Sequence, residues 1–290
     1  MEGVYKTRSQ KVFEMINKQF NMFTKIISFI FLFIFSSSFR KIYFFKKNIV
    51  KRQNYNFQHQ TEGSFCIKFS NGLNVICRDS TYSDYQVFNQ IFVEKEYKFI
   101  SDFMRFHRVE FPIIIDCGAN VGYTSLFFFK AFYPAKIFAI EPSTENCAMI
   151  KSNIALNNYE DNFELMCYGI HSVDGKFLDL NNDFRDGKDW AFTTSPTNKV
   201  TSLKAITIDK IIKDYNLVFV DFIKMDIEGA EQFVFESIES CSFLKVTKII
   251  SIEVHEEFVL KSKIENILEY YNFMTLECGE LTIGINKNFF

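Results

Sequence analysis

Gly118 and Gly122 stand four residues apart in the segment IIIDCGANVGYTS (residues 113–125), directly behind a β-branched run that ends at Asp116. Without a Cβ the backbone turns tightly there and comes close to a ligand. Residues 123–132 carry no helix breaker, so a helix N-terminus stands behind the loop. A strand, a Gly-x-x-x-Gly loop and a helix also make an ordinary tight turn, for the same steric reason. Two further segments point to chemistry. KIFAI (136–140) ends in Glu141-Pro142, a carboxylate at a strand tip nineteen residues after Gly122 that can accept hydrogen bonds from both hydroxyls of a ribose. FIKMDIEGAE (222–231) brings Lys224, Asp226 and Glu228 to another strand tip, and SIEVH (251–255) ends at His255. Open parallel sheets bind ligands at the carboxyl ends of their strands, so these tips face one cleft. His255 is a general-base candidate there, although a lone histidine is more often structural. Acids ahead of a helix also favour its dipole, which is the structural reading of Asp226 and Glu228.

The loop separates two cofactors. A dinucleotide needs its pyrophosphate at the helix N-terminus, usually through G-x-G-x-x-G with no acid beside it. Asp116 suits a cationic sulfonium and amino group instead, and would repel phosphates, which favours S-adenosylmethionine over a nicotinamide. A carboxylate pair such as Asp226 and Glu228 also binds divalent ions, but without a supporting acidic cluster no metal is assigned. Cys117 reads as a small packing residue rather than a nucleophile.

DCGANVGYTS, the FAIEP strand end, FIKMDIEGAE and SIEVH, in this order, resemble the FkbM family of S-adenosylmethionine-dependent methyltransferases. The resemblance takes in GIHSVDG and VTSLKAITID and covers residues 83–285; KMDIEGAE after DxGANxG is its specific combination. It implies an α/β, class I Rossmann-like methyltransferase fold, with a mostly parallel seven-stranded sheet and helices on both faces. The implied activity is methylation of a hydroxyl, commonly on sugars, polyketides or cell-surface glycans. On the resemblance, Asp116, Gly118, Asn120 and Gly122 cradle the methionine portion of the cofactor and Glu141 holds the ribose. Asn146 either supports the adenosine side or is a helix-surface residue. Asp226, Glu228 and His255 form the acceptor site, with His255 as base and Lys224 orienting or neutralising the carboxylates. Tyr168 and His171 depart from the pattern, which has an asparagine and an aromatic there. Two other functions stay open: a nicotinamide-dependent oxidoreductase on a similar fold, which Asp116 opposes, and an inactive membrane-associated binding protein, which the intact set of Asp116, Glu141, Asp226 and His255 opposes.

The elements that must position these residues fit one catalytic domain plus an appendage, as a 290-residue chain allows. A hydrophobic content of 48% with 23% charged residues excludes a disordered or fibrous chain. Residues 1–55 form an arm with eleven Lys or Arg against two acids, so the remainder carries a net charge of -11. An acidic body argues against nucleic acid as partner, whereas a basic arm suits anionic lipid. Within the arm, IISFIFLFIF (26–35) is too short for the ~20 residues of a spanning helix, leaving an interfacial anchor, a signal or a packed helix. The expected location is the cytoplasm, with residues 20–50 as the segment for any peripheral membrane contact. Residues 56–105 hold a linker ending near Gly63, a hairpin about Asn71-Gly72 with a type I′ turn, and one helical segment over 85–104. The catalytic domain spans 106–290, its third strand running into a helix over 232–238. Specificity for a small-molecule or glycan acceptor should come from residues 181–198, which carry Trp190, and from 275–286. Seven scattered cysteines without a C-x-x-C pair read as free thiols in a reducing compartment.

Overall fold

A computed structural model describes residues 56–61, 64–78, 82–181, 193–259 and 261–290. The arm, residues 26–35 within it, and Trp190 lie outside the described residues. The chain begins with a three-stranded antiparallel sheet, β1 (Asn56–Thr61), β2 (Ser64–Lys68) and β3 (Asn74–Arg78). β1 thus occupies part of the expected linker: its polar residues lack an apolar period, yet its backbone pairs with β2. The hairpin between β2 and β3 is present, but its turn is not type I′. Gly72 N–H bonds Phe69 O at 3.1 Å and Phe69 N–H bonds Leu73 O at 2.8 Å. Gly72 alone has positive φ (92°), the pattern of a three-residue loop with glycine at the left-handed position.

The expected single helix over 85–104 is two. α1 (Asp84–Phe88) runs into a π-helical turn over 89–94 that stops at Lys95, whose φ of 61° is left-handed, and α2 (Lys98–Phe106) follows. Apolar periodicity persists across the break because Phe88 and Phe92 both turn inward, their rings 5.0 Å apart.

The remaining elements are β4 (Ile113–Cys117), α3 (Tyr123–Ala131), β5 (Lys136–Ile140), α4 (Thr144–Ala155), β6 (Phe163–Met166), β7 (Gly169–Ile170), β8 (Leu178–Asn181), β9 (Thr193–Pro196), β10 (Ala205–Ile206) and α5 (Ile208–Asp214). After them come β11 (Val220–Met225), α6 (Glu231–Val234), β12 (Thr247–Glu253), α7 (Lys261–Tyr270), β13 (Phe273–Cys278) and β14 (Leu281–Asn286). α6 is shorter than the helix expected over 232–238 and gives way to a 3₁₀ segment, Glu239–Val246.

Seven strands form the central sheet in the order β13-β14-β12-β11-β4-β5-β6, parallel except for β14, which runs antiparallel to both its neighbours. This is the class I methyltransferase sheet anticipated above. Alternation along its strands feeds two apolar layers. Ile114 and Phe222 face the layer that contains Met104, Leu126, Phe128 and Ile150 from α2, α3 and α4, together with Phe65, Ile67 and Val75 of the small sheet. Ile115, Ile223 and Met225 face the layer of Ile211, Val234 and Ile264 from α5, α6 and α7. β4 and β11 lie side by side although the chain visits β5 and β6 between them, so the strand order reverses here. The crevice beyond the carboxyl ends of this pair is where such sheets bind ligands.

Cys147 and Cys167 are disulfide-bonded, with Cα atoms 6.4 Å apart, which corrects the expectation of seven free thiols. Sequence spacing did not show the pair because the start of α4 meets the end of β6 only through the crossover between them.

Candidate active site

A cavity of about 270 Å³ opens at the carboxyl ends of β4, β5, β11 and β12. Gly118, Asn120, Glu141, Asn146, Lys224, Asp226 and Glu228 line it; Asp116, Gly122 and His255 stand behind its wall.

The cofactor loop alternates handedness, with Gly118, Asn120 and Gly122 at φ values of 77°, 51° and 83°. Asparagine tolerates the left-handed region better than most residues, which accounts for its place between the glycines. At Gly118 a Cβ would overlap the Asp226 carbonyl oxygen, so glycine is required by the packing of β4 against β11 as well as by its dihedral. Gly122 ends the loop as the residue before α3.

Asp116 is fully buried. Its Oδ2 accepts from Ser125 Oγ at 2.8 Å, and Lys224 Nζ lies 3.7 Å from its Oδ1. Asp116 is not among the residues that line the cavity; Lys224 and Gly118, next to it, are. Lys224 donates to Gly118 O at 2.5 Å and pairs with Asp226 Oδ2 at 3.3 Å. Burial pulls the Lys224 ammonium downward, but the charges of Asp226 and Asp116 outweigh it and hold the group firmly protonated. Cys117 is buried, and burial keeps its thiol protonated, in agreement with a packing role.

Glu141 is buried at 4% exposure yet lines the cavity. Its Oε2 accepts from Asn120 N at 2.8 Å, and its Oε1 from Ser143 N at 3.0 Å and Asn146 Nδ2 at 3.4 Å. Burial pushes the carboxyl up to about 7 against the pull of these donors. Asn146 is buried and on the cavity wall, not on the helix surface. Ser143 caps α4 by accepting from Asn146 N at 3.3 Å, which places the asparagine in the first turn.

On the acceptor side, Glu228 has φ of 51°, left-handed for a non-glycine residue, and precedes Gly229 at 89°. This turn carries Glu228 back toward β12. His255 is 1% exposed, with Nε2 3.3 Å from Glu228 Oε2 and Nδ1 3.2 Å from Glu231 Oε1. Burial alone would lower its pKa; the hydrogen bonds to Glu228 and Glu231 raise it to about 11. The hydrogen bond from Nδ1 to Glu231 and the nearby Glu228 carboxylate favour the protonated ring. Glu253, two residues earlier, lines the cavity, and the charge of Asp226 together with burial raises it to about 8. Asp226, Glu228 and His255 each offer a ligand atom within 4.8 Å of the others, so this set could also hold a divalent ion.

Several lining residues gave no chemical signal in the sequence. Val87, Gln90, Ile91, Glu96 and Tyr97 come from the broken helical segment, where Val87, Ile91 and Tyr97 read as core periodicity and Gln90 and Glu96 as nothing in particular. Thr194 and Glu280 come from the two segments expected to set specificity. Of the two departures from the family pattern, Tyr168 lines the cavity and His171 is buried, stacked on Phe233 with centroids 5.2 Å apart.

The sequence matches the model of the methyltransferase FkbM domain over residues 116–279. The chain is similar to the methyltransferase sdnD of Sordaria araneosa, at 24% identity over 191 residues, 56% of this chain and 73% of that protein. Among solved structures it is similar to the methyltransferase FkbM from Methylobacillus flagellatus KT, at 17% identity and a TM-score of 0.40, covering 61% of this chain and 44% of that one. This chain therefore spans less than half of that structure's length. It is also similar to the SAM-bound magnesium protoporphyrin IX methyltransferase of Synechocystis PCC 6803, at 9% identity and a TM-score of 0.41, covering 67% of this chain and 80% of that one. With its family segment spanning more than half of the sequence, from Asp116 at the cofactor loop to the turn of the last hairpin, the chain belongs to the FkbM family of S-adenosylmethionine-dependent methyltransferases.

Proposed function

We propose that this methyltransferase transfers the methyl group to a hydroxyl of a glycan or other small-molecule acceptor. The observation that carries this reading is the division of the cavity. Glu141 and Asn146 offer ribose-binding groups at one end, and Asp226, Glu228 and Glu253 offer proton-accepting carboxylates at the other, with Gly118 between. Gly118, Ala119, Asn120 and Glu141 would hold S-adenosylmethionine, whose sulfonium would supply the transferable methyl.

Transfer is an in-line displacement, so the protein aligns donor and acceptor and removes one proton. The acceptor hydroxyl lies against Asp226 and Glu228, and Lys224 limits the repulsion among the carboxylates. Glu253, held near 8, takes the proton at a pH where it is partly ionised. His255 holds Glu228 and Glu231 in place from behind the wall and is a positioning residue.

The deciding experiment supplies labelled S-adenosylmethionine to a cell-envelope extract and identifies the methylated product. Label on a glycan or small-molecule hydroxyl supports the reading, and label on protein or nucleic acid overturns it. Peripheral membrane contact through residues 20–50 is a separate proposal, tested by vesicle flotation of the full chain against a chain lacking residues 1–55. Among the described residues, no helix is long and apolar enough to cross a membrane.

A further inference from the structure

β3 of the small sheet lies outside the segment that defines the family, yet it is bonded along its free edge to the cofactor site. β2 pairs with one edge of β3. On the other edge, Asn74 N–H donates to Asn157 Oδ1 at 2.8 Å, and Ile76 N–H to Asn153 Oδ1 at 2.8 Å. Both asparagines belong to α4 or its C-terminal turn. Asn153 passes the contact on, donating from Nδ2 to Val121 O at 2.9 Å, within the cofactor loop. Tyr123, at the start of α3, donates from its hydroxyl to Ile76 O at 2.7 Å. An edge strand that would otherwise present unpaired backbone groups is thus covered by Asn153 and Asn157 of α4 and its turn and by Tyr123, which lines the cavity.

The last residue of this edge reaches furthest. Arg78 is 6% exposed; its guanidinium lies over the Tyr82 ring and 3.7 Å from Glu145 Oε1, and also reaches Asp84 and Asn146. Nε and Nη2 donate to Asp84, with Nη2 2.7 Å from Oδ1, and Nη2 also donates to Asn146 Oδ1 at 3.0 Å. The amide of Asn146 has one accepting and one donating end. With its oxygen held by Arg78, its nitrogen faces Glu141 Oε1, 3.4 Å away. If the amide turned over, its NH₂ would meet the guanidinium and its oxygen would meet the carboxylate, two repulsive contacts in a buried place.

We propose that Arg78 is a positioning residue for the cofactor. From outside the family segment it fixes the orientation of Asn146, so that the amide supports Glu141 and presents an ordered wall to the nucleoside. The small sheet is then part of the cofactor site rather than an accessory to it. This inference rests on the assignment of Glu141 and Asn146 to the S-adenosylmethionine side of the cavity.

The test is a double-mutant cycle on Arg78→Lys and Asn146→Ala, read by calorimetric titration of the full chain with S-adenosylhomocysteine. Lysine keeps a cation for Asp84 but has no second planar branch for Asn146. Arg78→Lys should weaken binding about tenfold, the loss of one hydrogen-bonded arrangement around a charged group. Asn146→Ala should weaken it by a similar factor, and the double variant by no more than Asn146→Ala alone, because Arg78 acts through that side chain. The unliganded melting temperature of each variant separates this from a loss of fold. Wild-type affinity in Arg78→Lys overturns the proposal, as does an effect that multiplies with that of Asn146→Ala or one that follows the loss of melting temperature. Failure of the wild-type protein to bind S-adenosylhomocysteine would instead refute the assignment of Glu141 and Asn146.

Discussion

Replacing Glu141 by glutamine should move cofactor binding and stability in ways that differ with pH. The wild-type carboxylate accepts from three donors, Asn120 N, Ser143 N and Asn146 Nδ2. Glutamine has a single accepting oxygen, so its NH₂ must face either Asn120 or the Ser143 and Asn146 pair. At least one buried contact becomes donor against donor in either orientation. With ~1.5–3 kcal/mol for a hydrogen bond to a charged group, affinity for S-adenosylhomocysteine should fall by at least tenfold at pH 8. Stability works the other way. Burial raises the wild-type carboxyl from an ordinary 4.5 to about 7. A raised folded-state pKa contributes stability that is fully present below 4.5 and lost as pH rises through 7, worth about 3 kcal/mol at ~1.4 kcal/mol per pH unit. The variant has no such titration. The melting temperature of the wild type relative to Glu141→Gln should therefore drop by roughly 6–10 °C between pH 4.5 and 8. Wild-type affinity for S-adenosylhomocysteine should rise about tenfold from pH 6 to 8 as the carboxyl ionises, and that of the variant should stay flat. Differential scanning fluorimetry and calorimetric titration across this range read both effects. Parallel melting curves for the two proteins, or a wild-type affinity independent of pH, would refute the placing of a buried, ribose-binding carboxyl at Glu141.

Other substitutions probe the acceptor side. His255→Ala should leave S-adenosylhomocysteine affinity intact while lowering turnover by about two orders of magnitude. It should also destabilise the protein by about 3–5 kcal/mol in a thermal melt, because the fully buried Glu231 loses its imidazolium; unchanged turnover would remove His255 from the machinery. The wild type should show turnover rising through pH 8, and Glu253→Gln should abolish that rise; a variant profile that keeps this limb would exclude Glu253 as proton acceptor. Extensive dialysis against EDTA should leave turnover unchanged, since the His255 cation already faces Glu228. Loss of activity restored by Mn²⁺ would show instead that Asp226, Glu228 and His255 hold an ion.

The parts of this protein that depend on neighbours along the chain were legible in its residues. The β-branched run before Asp116, the paired glycines about Asn120, the strand tip at Glu141 and the DIEGAE turn are local patterns, each set by steric rules that operate within a few residues. They were enough to anticipate the parallel sheet and the cofactor edge. Side-chain ionisation and contacts between distant segments were not legible, because both depend on what the fold buries beside each group. Asp116 reads as a ligand-facing acid, yet the register of β11 on β4 sets Lys224 beside it and turns it into an internal counter-ion. His255 reads as a base from its place at a strand tip, whereas only the fold shows that the left-handed turn at Glu228 and the burial of Glu231 set two carboxylates against its ring. The polar run at 56–61 becomes a strand because β2 offers it an edge, and Cys147 meets Cys167 because α4 folds back on β6. Arg78 carried no signal at all; only the docking of β3 along α4 brings its guanidinium to Asn146 on the cavity wall.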